Sequence, residues 1–203
     1  MANYTKKILA QTLQELMKEK LLDDITVQEL IERSSMNRKT FYYHFHNIAE
    51  LLKWIIKENF SSVKTLPIAL DTWNTNTINL LTFIKENKFF FHSIHYSRYC
   101  AEIRMYLKLL LDEDIDKFVA IAWEFYTRNS AIEYTLTEAN QNYIVKYYSG
   151  AIYSLLEEWL LGGMKEPIDD FVDILVKLVN HSMYQAFDSL STTVETSSLF
   201  TII

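Results

Sequence analysis

Turn-forming residues are scarce in this sequence, which contains 3 glycines and 2 prolines among 203 residues. A β-sheet protein needs such residues at most hairpins, because tight turns require backbone angles that glycine and proline adopt readily. The scarcity therefore predicts long helices joined by few, short connections, and we expect an all-α fold. The aromatic content of 14% further indicates bulky packing or an aromatic-lined pocket.

A pair of short helices with clear start signals is predicted inside Ile25–Leu52. Thr26-x-x-Glu29 matches a capping box, in which the threonine hydroxyl accepts one backbone N–H and the glutamate reaches back to another. Asn37 and Asn47 are good N-caps for the two helices that follow. Two short helices joined by a turn of three or four residues form a helix-turn-helix, and we expect this motif here.

The second helix of that motif carries side chains suited to nucleic acid. Phe41 and Phe45, four residues apart, predict its buried face. In a helix-turn-helix this helix enters the major groove, where Arg and Lys donate to guanine or phosphate, and Thr, Tyr and His hydrogen-bond phosphate oxygens. The same residue types are also ordinary on a solvated helix. The outward-facing candidates are Arg38, Lys39, Thr40, Tyr42, Tyr43 and His44.

Charge is distributed unevenly along the chain, whose formal net charge is −6. Residues 1–60 contain nine Lys or Arg and eight Asp or Glu, whereas the remainder contains eleven and eighteen. The first sixty residues are thus better able to approach a phosphate backbone without strong repulsion, and the asymmetry predicts two functional regions. The acidic remainder leaves a second hypothesis open, a helical protein-interaction adaptor that does not bind DNA.

A family resemblance is carried by two runs, Thr40-Phe41-Tyr42-Tyr43-His44-Phe45 and Asn47-x-x-Glu50-Leu51-Leu52. Together with Thr26 and Glu29-Leu30-Ile31, these runs resemble the signature of the TetR/AcrR family of bacterial transcriptional regulators. The resemblance covers residues 4–60. It implies that the six candidates above occupy the recognition helix, and that Thr26 meets phosphate at the start of the preceding helix.

The resemblance also implies two domains. We expect a three-helix DNA-binding domain at residues 1–61, with its helix-turn-helix at 26–45, and a helical ligand-binding and dimerisation domain at residues 62–190. For the Ser/Thr-rich tail, residues 191–203, disorder and packing on a neighbour both stay open. Such a protein is a homodimer on near-palindromic double-stranded DNA, controlled by a small molecule or a partner protein. We take repression as the working expectation.

Two positions depart from the family pattern. Many members have a glycine in the turn between the second and third helices, where this chain has Ser34-Ser35. We therefore expect a turn geometry that serine tolerates. Many members also have a phosphate-contacting lysine at the start of the fourth helix, where this chain has Ile48, and the change removes one phosphate contact.

Residues 98–127 predict one or two helices with a break near Asp112-Glu113-Asp114. The aromatic run before them, residues 89–96, either packs a core or forms one wall of a ligand cavity. His92 and His95 have the spacing of two metal ligands, but no third ligand accompanies them and we expect no metal. Cys100 fits a small apolar residue better than a redox sensor. The candidate pocket residues are Phe89, Phe91, His92, His95, Trp123 and Tyr147.

Two long amphipathic helices are predicted at the C-terminal end, at residues 136–161 and from Pro167 onward, joined by Gly162-Gly163. Such a hairpin either caps its own core or pairs with a second hairpin in a four-helix dimer interface, which the family resemblance favours. The segment Tyr147–Pro167 is similar to a sub-family related to the activator of dihydroxyacetone kinase operons. The candidate interface residues are Tyr148, Ile152, Leu155, Trp159, Ile174, Leu178 and Met183.

Other protein classes are disfavoured by the motifs. We find no glycine-rich phosphate loop and no nucleophile elbow, so we expect neither an enzyme nor a cofactor. No apolar run approaches the roughly 18 residues of a membrane span, and the N-terminal residues show no apolar leader. With one cysteine in the chain, we expect a cytoplasmic protein without membrane partners.

Overall fold

The computed structural model describes residues 2–128 and 134–193. Helices account for most of these residues, which confirms the all-α expectation. Two short strands, β1 (Tyr134–Thr135) and β2 (Thr192–Thr193), pair antiparallel. The helices are α1 (Ala2–Glu19), α2 (Val27–Arg33), α3 (Arg38–His44), α4 (Ile48–Val63), α5 (Trp73–Glu86), α6 (Lys88–His95), α7 (Cys100–Arg128), α8 (Glu138–Leu161) and α9 (Ile168–Leu190), with a 3-10 turn at Leu22–Asp24.

The three predicted N-caps of α2, α3 and α4 are confirmed. The side-chain oxygens of Thr26, Asn37 and Asn47 each accept the backbone N–H of the residue three positions on, at 3.1, 2.7 and 2.9 Å. Each such cap contributes about 1 kcal/mol. The second half of the first capping box differs from the prediction, because the Glu29 carboxylate lies 2.7 Å from Lys20 Nζ instead.

Helix α1 packs one apolar face on the core. It runs from Ala2 to Glu19, so Thr5 lies inside it. Leu21 follows the end of the helix and is 75% exposed. The apolar residues that do face inward are Leu9, Leu13, Leu16 and Met17.

Two buried clusters form the core. The first joins α1–α4 to α6 and to Ile103 near the start of α7. The second joins Leu81 of α5 to the rest of α7, α8 and α9. The first cluster extends beyond residue 61 into α6, since Phe91 lies 6.2 Å, centroid to centroid, from Phe60 of α4. Helix α4 therefore connects the helix-turn-helix to the helices that follow it.

The connector between α4 and α5 is closed by a buried amide. Asn76 is 7% exposed, and its Oδ1 accepts the Leu66 N–H at 3.3 Å while its Nδ2 donates to the Leu66 carbonyl at 2.9 Å. The polar stretch from Asp71 to Thr77 contributes the first turn of α5, which starts at Trp73.

Helix α7 is continuous over 29 residues, so the predicted break near Asp112-Glu113-Asp114 is wrong. Asp112 and Asp114 have cationic partners, and Glu113 faces outward. Asp112 accepts Lys108 Nζ at 3.0 Å, Lys146 Nζ at 2.5 Å and the Ser149 hydroxyl. Asp114 pairs with Lys64 at the end of α4. A cluster of carboxylates inside a helix is tolerated where cations pair with it and hydroxyls donate hydrogen bonds to it.

The α8–α9 hairpin closes through a glycine turn. Gly163 adopts φ +86°, and its N–H and that of Met164 donate to the Leu160 and Trp159 carbonyls at 3.2 and 2.9 Å. This is the Schellman pattern that ends helices at a left-handed residue. Pro167 is the N-cap of α9 and not, as predicted, its first helical residue.

The predicted tail is described only at its start, where β2 lies, and residues 194–203 fall outside the described part of the chain. None of the helices within residues 2–128 and 134–193 is long and apolar enough to span a membrane.

Candidate functional site

The turn between α2 and α3 is a Schellman motif with serine where glycine is usual. The Ser35 N–H donates to the Glu32 carbonyl at 3.2 Å and the Met36 N–H to the Ile31 carbonyl at 2.9 Å. Ser35 has φ +54°, a conformation that costs a residue with a Cβ about 1–2 kcal/mol. The structure thus corrects the expected serine-compatible turn: the turn keeps the glycine geometry, and the serine adopts it.

Helix α3 is held by its aromatic face and exposes the opposite one. Phe41 and Phe45 are 0% and 3% exposed in the first cluster. Tyr43 is 81% and Tyr42 44% exposed. The seven predicted DNA-binding residues all reach the surface: Thr26, Arg38, Lys39, Tyr42 and Tyr43 are exposed, and Thr40 and His44 are half-buried.

Two of these side chains already have local partners. The Arg38 guanidinium carbon lies 5.6 Å from the centroid of the Tyr42 ring, a cation–π contact that orders the arginine while its N–H edge stays available. The Thr40 hydroxyl donates to Asn37 Oδ1 at 3.0 Å, so its remaining capacity is that of an acceptor and of a methyl contact.

Lys6 of α1 lies beside the C-terminal end of α3. Its Nζ lies 5.7 and 5.9 Å from the ring centroids of Phe45 and Trp54. The pKa of His44 is lowered from its ordinary value, first by burial and second by the charge of Lys6. His44 is therefore neutral at pH 7 and hydrogen-bonds through an uncharged imidazole. Periodicity within α1 does not indicate which helix Lys6 faces, so the sequence alone does not predict this neighbour.

The start of α4 presents no cation to the outside. Ile48, where the family resemblance leads us to expect a lysine, is 4% exposed. The Glu50 carboxylate accepts the His46 N–H at 2.8 Å, and this backbone hydrogen bond is the main cause of the lowered pKa of Glu50. The Glu50 carboxylate is thus turned toward the start of its own helix.

Two carboxylates on or beside the motif form ion pairs, and Glu32 accepts a hydrogen bond from Gln28 Nε2 at 2.6 Å. Glu19 lies 2.6 Å from the Arg33 guanidinium, and Glu29 is paired with Lys20. Among the described residues, neither Arg38 nor Lys39 forms an ion pair with a carboxylate. The α3 face is consequently cationic and aromatic, the character that a phosphate backbone requires.

A cavity of about 130 Å³ lies among α4, α5, α6, α7 and α8. Of the six candidate pocket residues, Phe91 and His95 line it. Phe89 is 54% exposed and Tyr147 69% exposed, while Trp123 packs on Phe187 in the second cluster. His92 does not line the cavity either.

Polar residues at the cavity were not found from the sequence. Arg104 and Glu157 pair at 2.6 Å across α7 and α8, Lys64 and Asp114 pair across α4 and α7, and all four line the cavity. Cys100 lines it with its Sγ 4.0 Å from His95 Nδ1. The sequence shows that charged residues lie among apolar ones on α7. This pattern does not indicate which other helix each face of α7 contacts.

The hairpin divides the candidate interface residues into two sets. Tyr148, Ile152, Trp159 and Met183 are buried within the chain, and Leu155 is half-buried. Ile174 and Leu178 are 48% and 57% exposed on α9. On α8, Tyr143 and Tyr147 lie one turn apart and are 70% and 69% exposed. Tyr143 was not among the predicted interface residues. An outward apolar and aromatic surface therefore spans both helices.

The helices from α5 to α9 match a known protein family. The model of the transcriptional regulator C-terminal region of the TetR type matches residues 71–181, more than half of the chain. The chain belongs to the TetR family. The match begins at the connector before α5 and ends within α9, so it covers four of the five cavity helices, α5 to α8, and most of the hairpin.

Two proteins illustrate what this TetR-family chain is similar to. The HTH-type dhaKLM operon transcriptional activator DhaS of Lactococcus lactis subsp. lactis (strain IL1403) is 24% identical over an alignment of 165 residues, which covers 78% of this chain and 81% of that protein. The solved structure of the dihydroxyacetone kinase operon activator DhaS superposes with a TM-score of 0.64 at 20% identity, covering 93% of this chain and 98% of that one. The fold is therefore shared along nearly the full length, and the expected sub-family is supported.

Proposed function

We propose that this TetR-family regulator binds DNA through α3 as a homodimer on a near-palindromic operator. The observation that carries the proposal is the exposed cationic and aromatic face of α3, with Arg38, Lys39, Tyr42 and Tyr43 outward and no carboxylate in the helix. Recognition helices of this kind read half-sites about 34–36 Å apart, or a multiple of that distance.

An electrophoretic mobility shift on the DNA flanking the gene tests the proposal. Arg38→Ala and Tyr43→Ala are expected to weaken the complex at least tenfold, because each removes a phosphate or base contact. Arg128→Ala and Tyr96→Ala are matched controls, since both side chains are exposed and lie outside α3. Specific binding that is unchanged in both α3 variants contradicts the assignment.

The homodimer is proposed to form through paired α8–α9 hairpins. Two hairpins make a four-helix interface, and Tyr147, Ile174 and Leu178 supply exposed apolar surface for it. Leu178→Glu is expected to give monomers in sedimentation analysis. Leu109→Glu on α7, where the leucine is similarly exposed at 53%, is expected to leave the assembly unchanged. A dimer that survives Leu178→Glu with native affinity refutes this interface.

Control by a small molecule or partner is proposed to act through α4. The cavity wall contains Phe60 and Lys64 of α4, and Leu51 and Leu52 of the same helix are 0% exposed in the first cluster. A ligand with unequal affinity for two positions of α4 shifts their populations, and with them the separation of the two α3 helices.

The alternative of an adaptor that does not bind DNA finds less support. It predicts a negative surface on the recognition helix, whereas α3 contains Arg38 and Lys39. We also propose that the regulator is cytoplasmic.

A promoter–reporter fusion in a strain with the gene deleted shows whether the protein represses or activates. Reporter output rises on deletion of a repressor and falls on deletion of an activator. The curated relative is named as an activator.

A further inference from the structure

The cavity among α4–α8 is small and has mainly apolar walls. Its volume of about 130 Å³ is close to that of a cavity of about 150 Å³, engineered in another protein, that binds benzene. Leucines of two facing helices, Leu107 of α7 and Leu156 of α8, contribute to the walls together with Phe91. A ligand of one six-membered ring with a short substituent matches this space.

The charges at the cavity cancel. The Arg104–Glu157 pair, at 2.6 Å, and the Lys64–Asp114 pair together place two cations and two anions on the lining. Each charge is already neutralised by a partner that belongs to the chain. A charged ligand would add a fifth charge, and it would lose its hydration without gaining an unpaired counter-charge.

Few polar groups besides the two ion pairs line the cavity. Tyr153 is one of them, and burial, followed by the charge of Glu157, raises its pKa to about 12. Its hydroxyl therefore stays protonated over the physiological range and can donate one hydrogen bond. His95 and Cys100 also lie together on the lining. Because the remaining wall is mainly leucine, isoleucine and phenylalanine, a molecule with several hydroxyl groups would leave some of them unpaired, which is costly.

We propose that this cavity binds an uncharged, mainly apolar molecule of about one aromatic ring carrying a single hydrogen-bonding group. The inference concerns the effector of the proposed function, but binding itself does not depend on DNA. It is therefore measured on the free protein, and the effect on DNA is measured separately.

The test uses three probes that share one phenyl ring with a one-carbon substituent and differ in charge: benzyl alcohol, benzoate and benzylamine, with glycerol as a polar comparison. Benzyl alcohol at a concentration one hundred times its Kd is expected to raise the Tm by about 5–10 °C. Benzoate, benzylamine and glycerol are expected to bind at least tenfold more weakly. Equal or tighter binding of a charged probe, or no binding of benzyl alcohol, overturns the proposal.

Cavity-filling variants locate the site. Leu107→Phe and Leu156→Phe add volume to the lining from α7 and from α8, and each is expected to reduce benzyl alcohol affinity at least tenfold. Leu109→Phe makes the same exchange at an exposed position of α7 outside the cavity, and binding should be unchanged. Native affinity in both filled variants shows that the probe binds elsewhere and refutes the site. The charge comparison on the natural chain decides the question even if a filled variant does not fold.

Failure of the proposed function leaves a different signature. If benzyl alcohol binds in the cavity and a mobility shift shows no specific DNA complex, the ligand inference stands while DNA binding falls. If the protein binds its operator but none of the four probes, DNA binding stands and the ligand inference falls.

Discussion

Replacing Ser35 with glycine should stabilise this protein. Ser35 is the left-handed residue of the turn between α2 and α3, with φ +54°, and its carbon Cβ is the source of the strain. Glycine adopts this conformation without a steric penalty. Because the Schellman hydrogen bonds come from backbone groups, Ser35→Gly keeps all of them.

The magnitude follows from two opposing effects. Relief of the left-handed strain contributes about 1–2 kcal/mol. The greater freedom of glycine in the unfolded chain costs about 0.5–1 kcal/mol. The free energy of unfolding should therefore rise by about 0.5–1 kcal/mol, which corresponds to an increase in Tm of about 1–4 °C for a chain of this length.

The neighbouring serine provides a matched control. Ser34 has φ −82° and ψ 0°, ordinary right-handed values, and its hydroxyl donates to the Ile31 carbonyl at 3.3 Å. Ser34→Gly should lower the free energy of unfolding by at least about 0.5–1 kcal/mol, because the entropy cost is not offset by any relief of strain and the hydroxyl hydrogen bond is also lost. Gly163→Ala tests the converse, since φ is +86° and an added Cβ meets no atom within 4 Å; it should cost about 1 kcal/mol.

Urea and thermal unfolding followed by circular dichroism measure all three variants, with DNA affinity as a check that α3 keeps its position. The reasoning predicts opposite signs at two adjacent serines. A Ser35→Gly variant that is destabilised as much as Ser34→Gly would falsify the account of strain in this turn.

Three further perturbations have defined outcomes. Asp112→Ala should lower the free energy of unfolding by about 2–3 kcal/mol by leaving its hydrogen-bond donors unpaired, whereas exposed Glu113→Ala should change it little, as read from urea unfolding; equal effects contradict this. Asn76→Ala should cost about 1–3 kcal/mol through the two Leu66 contacts, and exposed Asn74→Ala should not. For His44, a folded pKa below the ordinary value means that protonation favours the unfolded chain, so stability falls as pH drops below the ordinary histidine pKa near 6.5. His44→Gln should flatten that part of the pH profile, and an unchanged slope refutes the assignment.

Local signals in the sequence predicted the helix-turn-helix well. The caps at Thr26, Asn37 and Asn47 depend on hydrogen bonds within four residues, so the sequence contains the whole cause. Phe41 and Phe45 were assigned to the buried face for the same reason. The strain at Ser35 was harder to foresee, because a left-handed residue is set by the path of α3 against α2 and not by the serine itself.

Positions that depend on partner helices were predicted less well. In α9, apolar residues form two stripes, and periodicity does not say that Phe171 and Leu175 face the core while Ile174 and Leu178 face outward. Consecutive aromatic residues such as Phe89 and its two successors point about 100° apart on a helix, so they cannot all line one cavity. The supposed break in α7 failed similarly, because the partners of Asp112 lie partly on α8.

The unbroken course of α7 has a mechanical consequence. Its 29 residues make a rod of about 43 Å, which starts at the first cluster with Ile103 and reaches the second with Ala122. A rod pivoting about its middle by about 5° moves each end by about 2 Å in opposite directions. A small displacement of one end of α7 therefore moves its other end by a similar distance. A helix broken in the middle would bend at the break and would not transmit the displacement.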